Sequence, residues 1–334
     1  MKISPAKVIA RVKQALIGMS GLSAKLHRVR GYHKITIVSY HGIHSDELPL
    51  EDHCFMHLDR FKEQMHYLHQ HFNVLPLEQA LQIADYDGEK PLAAITFDDG
   101  FYNNYSLAFP VLKALQLPAT VFLATNYINS HHTIWFCDLL RMLSQTPKNS
   151  LLWQGKRYPL KNNEQKQAVS RLLQAQLKTR KTDEARAELQ ALAKALDCDL
   201  NYRYQADSPF YMLTAPAIKE MSDSGLITFG AHTHNHVILS KTTLEHAREE
   251  IQTSILETEK LTGKPCYSFA YPNGRAEDFN ESHQQMLSDN GIRFSATTIN
   301  GLTAPQKELL AFKRLFINTD TGIEVFKLQV HGHR

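Results

Sequence analysis

Ala93-Ala94-Ile95-Thr96-Phe97-Asp98-Asp99-Gly100-Phe101 is an apolar run that ends in two adjacent carboxylates and a glycine. A short Ala/Ile/Phe run of this kind suits an interior strand of a parallel sheet, and Gly100 lets the backbone turn sharply where the strand meets solvent. Neighbouring side chains of a strand point to opposite faces, so Asp98 and Asp99 serve one site only if the turn aims both inward. The plain alternative is that Asp98-Asp99 caps the next helix. Partners elsewhere in the chain decide between the two.

Upstream, Lys34-Ile35-Thr36-Ile37-Val38-Ser39-Tyr40 is β-rich and delivers His41-Gly42 at its end. A helix is expected around 58–68, with Phe61, Met65 and Leu68 at helical spacing, then a short strand near 72–75 and a helix over 77–84. His57, His66, His69 and His71 show no metal-ligand spacing and read as surface side chains. Downstream, 104–115 reads as a helix, Leu117-Pro118 as a turn and 119–124 as another buried strand. Strand, helix, strand at this spacing implies parallel pairing with right-handed crossovers. The rhythm breaks over about 129–216, where Trp135, Phe136 and Asp138 lead into a Gln/Lys/Ala/Leu-rich helical pair over 164–196. That stretch reads as an insertion on the rim. The rhythm then resumes with a helix over 217–224 and the strand 226–229, which delivers Gly230-Ala231-His232-Thr233-His234-Asn235-His236. Ser240 is expected to cap a helix over 243–261 that Gly263 ends. Strand 266–270 delivers Tyr271-Pro272-Asn273-Gly274, and a helix over 281–290 precedes strands at 294–297 and 313–317. The expected fold is α/β: a distorted (β/α) barrel of about seven or eight strands over 34–334 with a helical insertion.

Among 334 residues, 43% are hydrophobic and 21% charged, an ordinary globular composition with room for such a barrel. A net charge of +3 is too mild to point to nucleic acid. The charge is unevenly placed: no Asp or Glu occurs before Asp46, while Lys2, Lys7, Arg11 and Lys13 lead a basic amphipathic helix expected within 1–33. That helix either contacts anionic headgroups at the inner membrane face or packs on the body of the protein. Cys54, Cys137, Cys198 and Cys266 lack zinc-ribbon or redox spacing and read as buried free thiols of a reducing compartment. No apolar run is long enough to span a bilayer, and the leading stretch makes a poor export signal, so a cytoplasmic, membrane-associated location is expected.

His232 and His236 are four apart, a spacing that on a helical turn places both imidazoles on one face. Two imidazoles beside an aspartate from another strand end make an open three-ligand metal site with room for water, which fits hydrolysis. His234 projects elsewhere and reads as a solvent or supporting residue. A structural pair of histidines, with no metal, is the ordinary alternative.

Thr96-Phe97-Asp98-Asp99-Gly100, His232-Thr233-x-x-His236 and Phe269-Ala270-Tyr271-Pro272-x-Gly274 resemble the first three motifs of the polysaccharide deacetylase family, the NodB-homology enzymes of carbohydrate esterase family 4. The 38–43 segment, Val-Ser-Tyr-His-Gly-Ile, resembles the N-terminal motif of the permuted members that deacetylate poly-N-acetylglucosamine-type exopolysaccharides. The resemblance implies that Asp99, His232 and His236 bind a divalent metal, zinc first with cobalt or nickel as alternatives, and that Asp98 is the general base. His41 becomes the candidate acid for the leaving amine, and Arg314 the partner that keeps Asp98 ionised. Tyr271, Pro272 and Asn273 fall at the substrate, with a backbone N–H of Tyr271 or Asn273 facing the oxyanion, and Asp138 resembles a substrate contact of related enzymes.

Two positions depart from the family pattern. Val237 stands where a proline often follows the second metal histidine, and the Leu-x-His motif is only echoed by Gln329-Val330-His331, leaving His331 as a second candidate acid. The reading is a metal-dependent N-deacetylase of an N-acetylated glycan or its lipid-linked precursor. An amide or formamide hydrolase on a lipid- or nucleotide-linked sugar, and a non-catalytic glycan-binding protein of the same fold, remain the rivals.

Overall fold

The computed structural model describes residues 34–307 and 309–333; the basic helix expected within 1–33 lies outside the described residues. Strands β1 (Thr36–Tyr40), β5 (Leu92–Phe97), β6 (Ala119–Leu123), β9 (Ile227–Ala231), β10 (Ser268–Ala270), β11 (Phe294–Asn300) and β12 (Phe312–Phe316) form a parallel sheet that closes where β1 pairs with β5. Seven strands therefore make the barrel, and an eighth, β4 (Asn73–Val74), pairs with the start of β5 outside the ring. The register Thr36↔Ala93 through Tyr40↔Phe97 sets the ends of β1 and β5 side by side, so His41 and Asp98 emerge at the same rim.

Strand alternation sorts the core. Val38, Tyr40, Ala93, Ile95 and Phe97 face the helix layer, where Phe61, Met65 and Leu68 of α1 (Leu58–His71) pack against them. Ile37, Ala94, Phe122, Phe294 and Phe312 belong to a separate cluster inside the barrel, joined by Leu77, Ala80 and Leu81 of α2 (Leu77–Gln82). The alternation puts Thr96 and Asp98 on the interior side with Ala94. Gly230 is required by this filling: a Cβ there would lie 2.6 Å from Phe122 Cδ1 and from the Ser268 carbonyl.

The remaining outer helices are α3 (Phe109–Ala114), preceded by a wide turn at Asn104–Ala108, α7 (Ala215–Asp223), α8 (Leu244–Thr262), α9 (Glu281–Asp289) and α10 (Ile323–Val330). The cap of α8 is Thr243, whose side chain accepts from the His246 N–H, and not Ser240 as expected. Between β6 and α7 lies the insertion: α4 (Trp135–Gln145), a hairpin β7 (Ser150–Trp153) and β8 (Lys156–Pro159), α5 (Asn163–Leu177) and α6 (Thr182–Leu196). The hairpin, and a short parallel pair of β2 (Gly42–His44) with β3 (Phe55–His57), are elements the sequence pattern missed. The insertion's core, Leu139, Leu140, Leu143, Leu173 and Leu192, is continuous with Phe55, Phe101 and Ala124 at the barrel rim. Its return is stitched to the loop carrying the two aspartates, since the Leu213 N–H donates to the Gly100 carbonyl at 2.9 Å. All four cysteines are free, but only Cys137 and Cys266 are buried.

Candidate active site

The chain's carboxylates and imidazoles converge at the C-terminal ends of the strands. Asp98 continues the inward parity of β5. Asp99 would point outward by alternation, but its φ of +75°, followed by +87° at Gly100, redirects it into the same pocket. Both carboxylates are buried, and neither accepts from a backbone N–H, which rules out the helix-cap reading.

Their surroundings differ. Arg314, fully buried on β12, grips Asp98 with two hydrogen bonds of 2.7 Å, one to each oxygen, while also donating to Thr96 Oγ1 and the Thr297 carbonyl at 3.0 Å. Burial alone would raise the Asp98 carboxyl's pKa, but the Arg314 charge and its hydrogen bonds overcome that and hold it below the usual carboxylate range. Asp99 has no hydrogen-bond partner on either oxygen. Facing it are His232 Nε2 at 3.4 Å and His236 Nε2 at 3.2 Å from Oδ1.

Local structure aims those imidazoles. His232 donates from Nδ1 to the Ala270 carbonyl at 2.6 Å, which turns Nε2 toward Asp99. The segment to His236 is a loop with left-handed residues at Thr233 (φ +57°) and His236 (φ +55°), so the expected helical turn does not form. The loop is held from behind by Glu250 of α8, a buried carboxylate that accepts from the Asn235 backbone N–H at 2.7 Å and from its side-chain amide at 2.6 Å. His234 turns away, its Nδ1 2.9 Å from Thr125 Oγ1.

Two nitrogen donors and a carboxylate whose oxygens accept nothing form a donor set that a divalent cation would satisfy. A second candidate group, Asp52, His53 and Cys54, is different, because the Asp52 oxygens already accept from the Cys54 N–H and from Gln174. The buried, unsatisfied Asp99 would cost free energy without a cation, and the site's residues therefore fit a metal.

The sequence matches the family described as Polysaccharide deacetylase over residues 85–295. The chain belongs to the polysaccharide deacetylase family. It is 31% identical over 105 residues to YxkH of Bacillus subtilis (strain 168), a polysaccharide deacetylase by name, and this match covers 30% of the chain and 35% of that relative. The chain thus spans about a third of the length of the curated relative it matches. Among solved structures, the deacetylase PplD of Streptococcus pyogenes, in complex with acetate, is similar at a TM-score of 0.58 and 19% identity, over 89% of this chain and 98% of that one. IcaB from Ammonifex degensii is similar at 0.56 and 16% identity, over 90% and 98%. At these identities the likeness is one of fold.

Other residues of this deacetylase-family site fall less evenly. His41 lies in the pocket with Nε2 3.9 Å from Asp98 Oδ2, its ring edge-on to Phe316. Burial pulls the His41 pKa down against the raising pull of Asp99 and Asp98. His331, the second candidate acid, is excluded: it stacks on Phe72 and contacts Tyr67 near the N-terminal ends of the strands, outside the pocket. Tyr271 and Pro272, expected at the substrate, lie behind the wall. Tyr271 stacks on Phe279, its hydroxyl donates to the Leu310 carbonyl, and its N–H donates to the Ala296 carbonyl at 3.0 Å. That N–H cannot serve the oxyanion, and Asn273 alone of the three lines the pocket. Asp138 is not in this pocket but in an adjoining cavity, accepting from the Tyr204 hydroxyl at 2.8 Å.

Sequence reasoning missed several pocket residues. His53, 3.3 Å from Asp52 through Nδ1 and edge-on to Phe316, lines the pocket opposite the barrel wall. Trp135, Gln174 and Lys178 reach it from the insertion. Glu250 left a legible signal, a carboxylate on the buried stripe of α8 beside Ala247, Ile251 and Ser254. No helix among the described residues is long and apolar enough to cross a membrane.

Proposed function

We propose that this protein is a divalent-metal-dependent N-deacetylase that removes acetyl groups from an N-acetylated polysaccharide or a lipid-linked glycan precursor in cell-surface or exopolysaccharide biosynthesis. The reading rests on one observation: a bare carboxylate, Asp99, faces two imidazoles beside a second carboxylate that Arg314 holds anionic. The name of one similar structure, a deacetylase in complex with acetate, agrees with it.

In this reading Asp99, His232 and His236 hold the ion, zinc before cobalt or nickel for two imidazoles and a carboxylate. The ion supplies Lewis-acid polarisation of the acetamide carbonyl and of water when bound. Asp98 takes the proton from the attacking water, and Arg314 keeps that carboxylate charged and in one orientation. His41, with Nε2 3.9 Å from Asp98 Oδ2, gives a proton to the nitrogen as the amide C–N bond breaks, and the proton that Asp98 took from water restores it. Asn273, at the pocket wall, offers its backbone N–H to the developing oxyanion. Acetate and the free amine leave.

The test is acetate release from N-acetylglucosamine oligomers, with and without chelator, by the wild type and by Asp98→Asn. Turnover is expected to stop with chelator and to fall by about 10²–10⁴ in the variant, the usual worth of a positioned base. Undiminished release in either arm overturns the proposal. Formyl substrates cleaved in preference to acetyl ones would instead favour the formamide-hydrolase rival, and sugar binding without hydrolysis the non-catalytic one. The proposed location is cytoplasmic, at the inner membrane face.

A further inference from the structure

The pocket over the metal-site residues is small, about 240 Å³, and it adjoins a cavity of about 710 Å³ between the barrel rim and the insertion. Trp135, Lys178, His236 and Ile238 line both. A substrate with its acetamide at Asp99 that extends past Trp135 enters the larger space, with the indole at the junction of the two.

The larger cavity has an unbalanced charge. Lys178, Arg180, Arg186 and Lys241 line it against a single carboxylate, Asp138. Asp138 already accepts from Tyr204 and lies 3.9 Å from Arg141, so it neutralises none of them. Arg180 pairs with Glu188 at 3.1 Å. Lys178, Arg186 and Lys241 have no ion-pair partner among the described residues. These cations come from the α5–α6 junction, from α6 and from the loop after β9, so three separate segments turn positive charge toward one space. A cleft with one sign of charge and low-dielectric walls concentrates the opposite charge. Leu177, Leu189, Val237 and Ile238 line the same cavity beside the cations. A neutral glycan offers these cations hydroxyl and carbonyl acceptors but no counter-charge.

We infer that this annex is a subsite for an anionic group, a phosphoryl ester or a uronate, carried by the glycan beyond the sugar being deacetylated. The inference rests on the deacetylase reading for the direction of the substrate, and it narrows that reading to acidic glycans or phosphoryl-linked glycan precursors. Binding energy gathered here, away from the reacting amide, would hold the acetamide in place at the metal site. Arg186 and Lys241 are specificity residues in this view, since neither lines the metal-site pocket.

The experiment uses the full chain and three disaccharides: di-N-acetylchitobiose, its 1-phosphate, and an N-acetylglucosamine disaccharide ending in glucuronate. Binding is read by tryptophan fluorescence with chelator present, and kcat/KM for acetate release with metal restored. At low salt, at least one anionic disaccharide is expected to bind about tenfold more tightly than the neutral one, the scale of a charge-assisted hydrogen bond. The Arg186→Ala/Lys241→Ala variant is expected to lose that advantage, binding the anionic and neutral disaccharides equally and showing the same kcat/KM on both. High salt is expected to erode the advantage as well. A gain confined to the phosphate would identify a phosphoryl-linked precursor, and a gain for the uronate an acidic polysaccharide; both support the subsite. Equal binding of all three, or an anionic advantage that survives in the variant, overturns it. If the double variant does not fold, Arg186→Gln and Lys241→Gln singly carry the same comparison. Acetate release from all three with no anionic preference would sink the subsite and leave the deacetylase reading intact. Cation-dependent anion binding with no acetate from any of them would do the reverse.

Discussion

Asp98 and Asp99 are consecutive residues with opposite surroundings. Both oxygens of Asp98 are engaged by Arg314, and neither oxygen of Asp99 accepts any hydrogen bond. The difference comes from one backbone angle. β5 alternation carries Asp98 inward to the buried guanidinium, and the left-handed turn at Asp99 swings the next carboxylate to the imidazoles instead. Adjacent identical side chains thus become a fixed anion and one whose oxygens accept no hydrogen bond. Exchanging either for asparagine separates the roles. Asp99→Asn is expected to abolish both metal uptake, read by elemental analysis, and acetate release. Asp98→Asn is expected to keep the metal while losing turnover by about 10²–10⁴. Equal metal loss in both variants would mean that the two carboxylates share one role.

Breaking the Asp98 side from the arginine end sharpens the contrast. Arg314→Met leaves a buried carboxylate without its partner, and removal of one member of a buried pair typically destabilises by about 3–5 kcal/mol. The pH dependence has a definite sign. In the wild type the Asp98 pKa is depressed, so its stabilisation is present above the unfolded value near ~3.9 and is lost as pH falls through the folded value. In the variant, burial is opposed only by the smaller pull of His232 and His41 and the folded pKa rises, so acidification relieves the damage. Thermal unfolding from pH 7 to pH 4 should show the gap between the two proteins narrowing. A gap that stays constant would show that the arginine matters for packing and not for charge.

The imidazole side is held more loosely, through the loop that Glu250 fastens. Glu250→Gln keeps one acceptor for Asn235 but sets an amide N–H against a neighbouring donor. Metal affinity is expected to fall about tenfold, the lower end for residues supporting metal ligands. Asp98-dependent stability should be unaffected. Unchanged metal affinity would assign Glu250 to the stability of α8 alone.

How far these features were legible follows from the same geometry. Strand ends could be read because apolar runs stop at Asp98, His41 and His232, and residue chemistry singled out the metal set. The His232 to His236 spacing pointed to two imidazoles that do face Asp99, but not through the helical turn it suggested. Four residues of helix and four residues of loop with two left-handed angles both bring imidazoles together, and only the first has a sequence pattern. Tyr271 was misplaced although parity was available: it shares a face with Phe269, and both lie in the same buried cluster. Lys178 and Trp135 were out of reach for another reason. Their place beside His236 depends on how the insertion folds back over the rim, and no periodicity in 129–216 encodes that.

Asp138 gives the smallest effect and extends the comparison to a third carboxylate. Burial raises its pKa to about 6 against the opposing pull of the Tyr204 hydroxyl and Arg141, the reverse of Asp98. A raised acid binds its proton more tightly when folded, so wild-type stability falls as pH rises from the unfolded value near ~3.9 toward 6. Asp138→Asn still accepts from Tyr204 but has no charge to bury. The variant is expected to match the wild type near pH 4 and to exceed it by roughly 1–2 kcal/mol at pH 7, after allowance for the nearby Arg141. Thermal unfolding at the two pH values checks it. A variant less stable at pH 7 would mean that the Arg141 charge outweighs burial. A rise in KM without loss of stability would instead make Asp138 a contact for substrate in the annex, next to the cations it leaves unpaired.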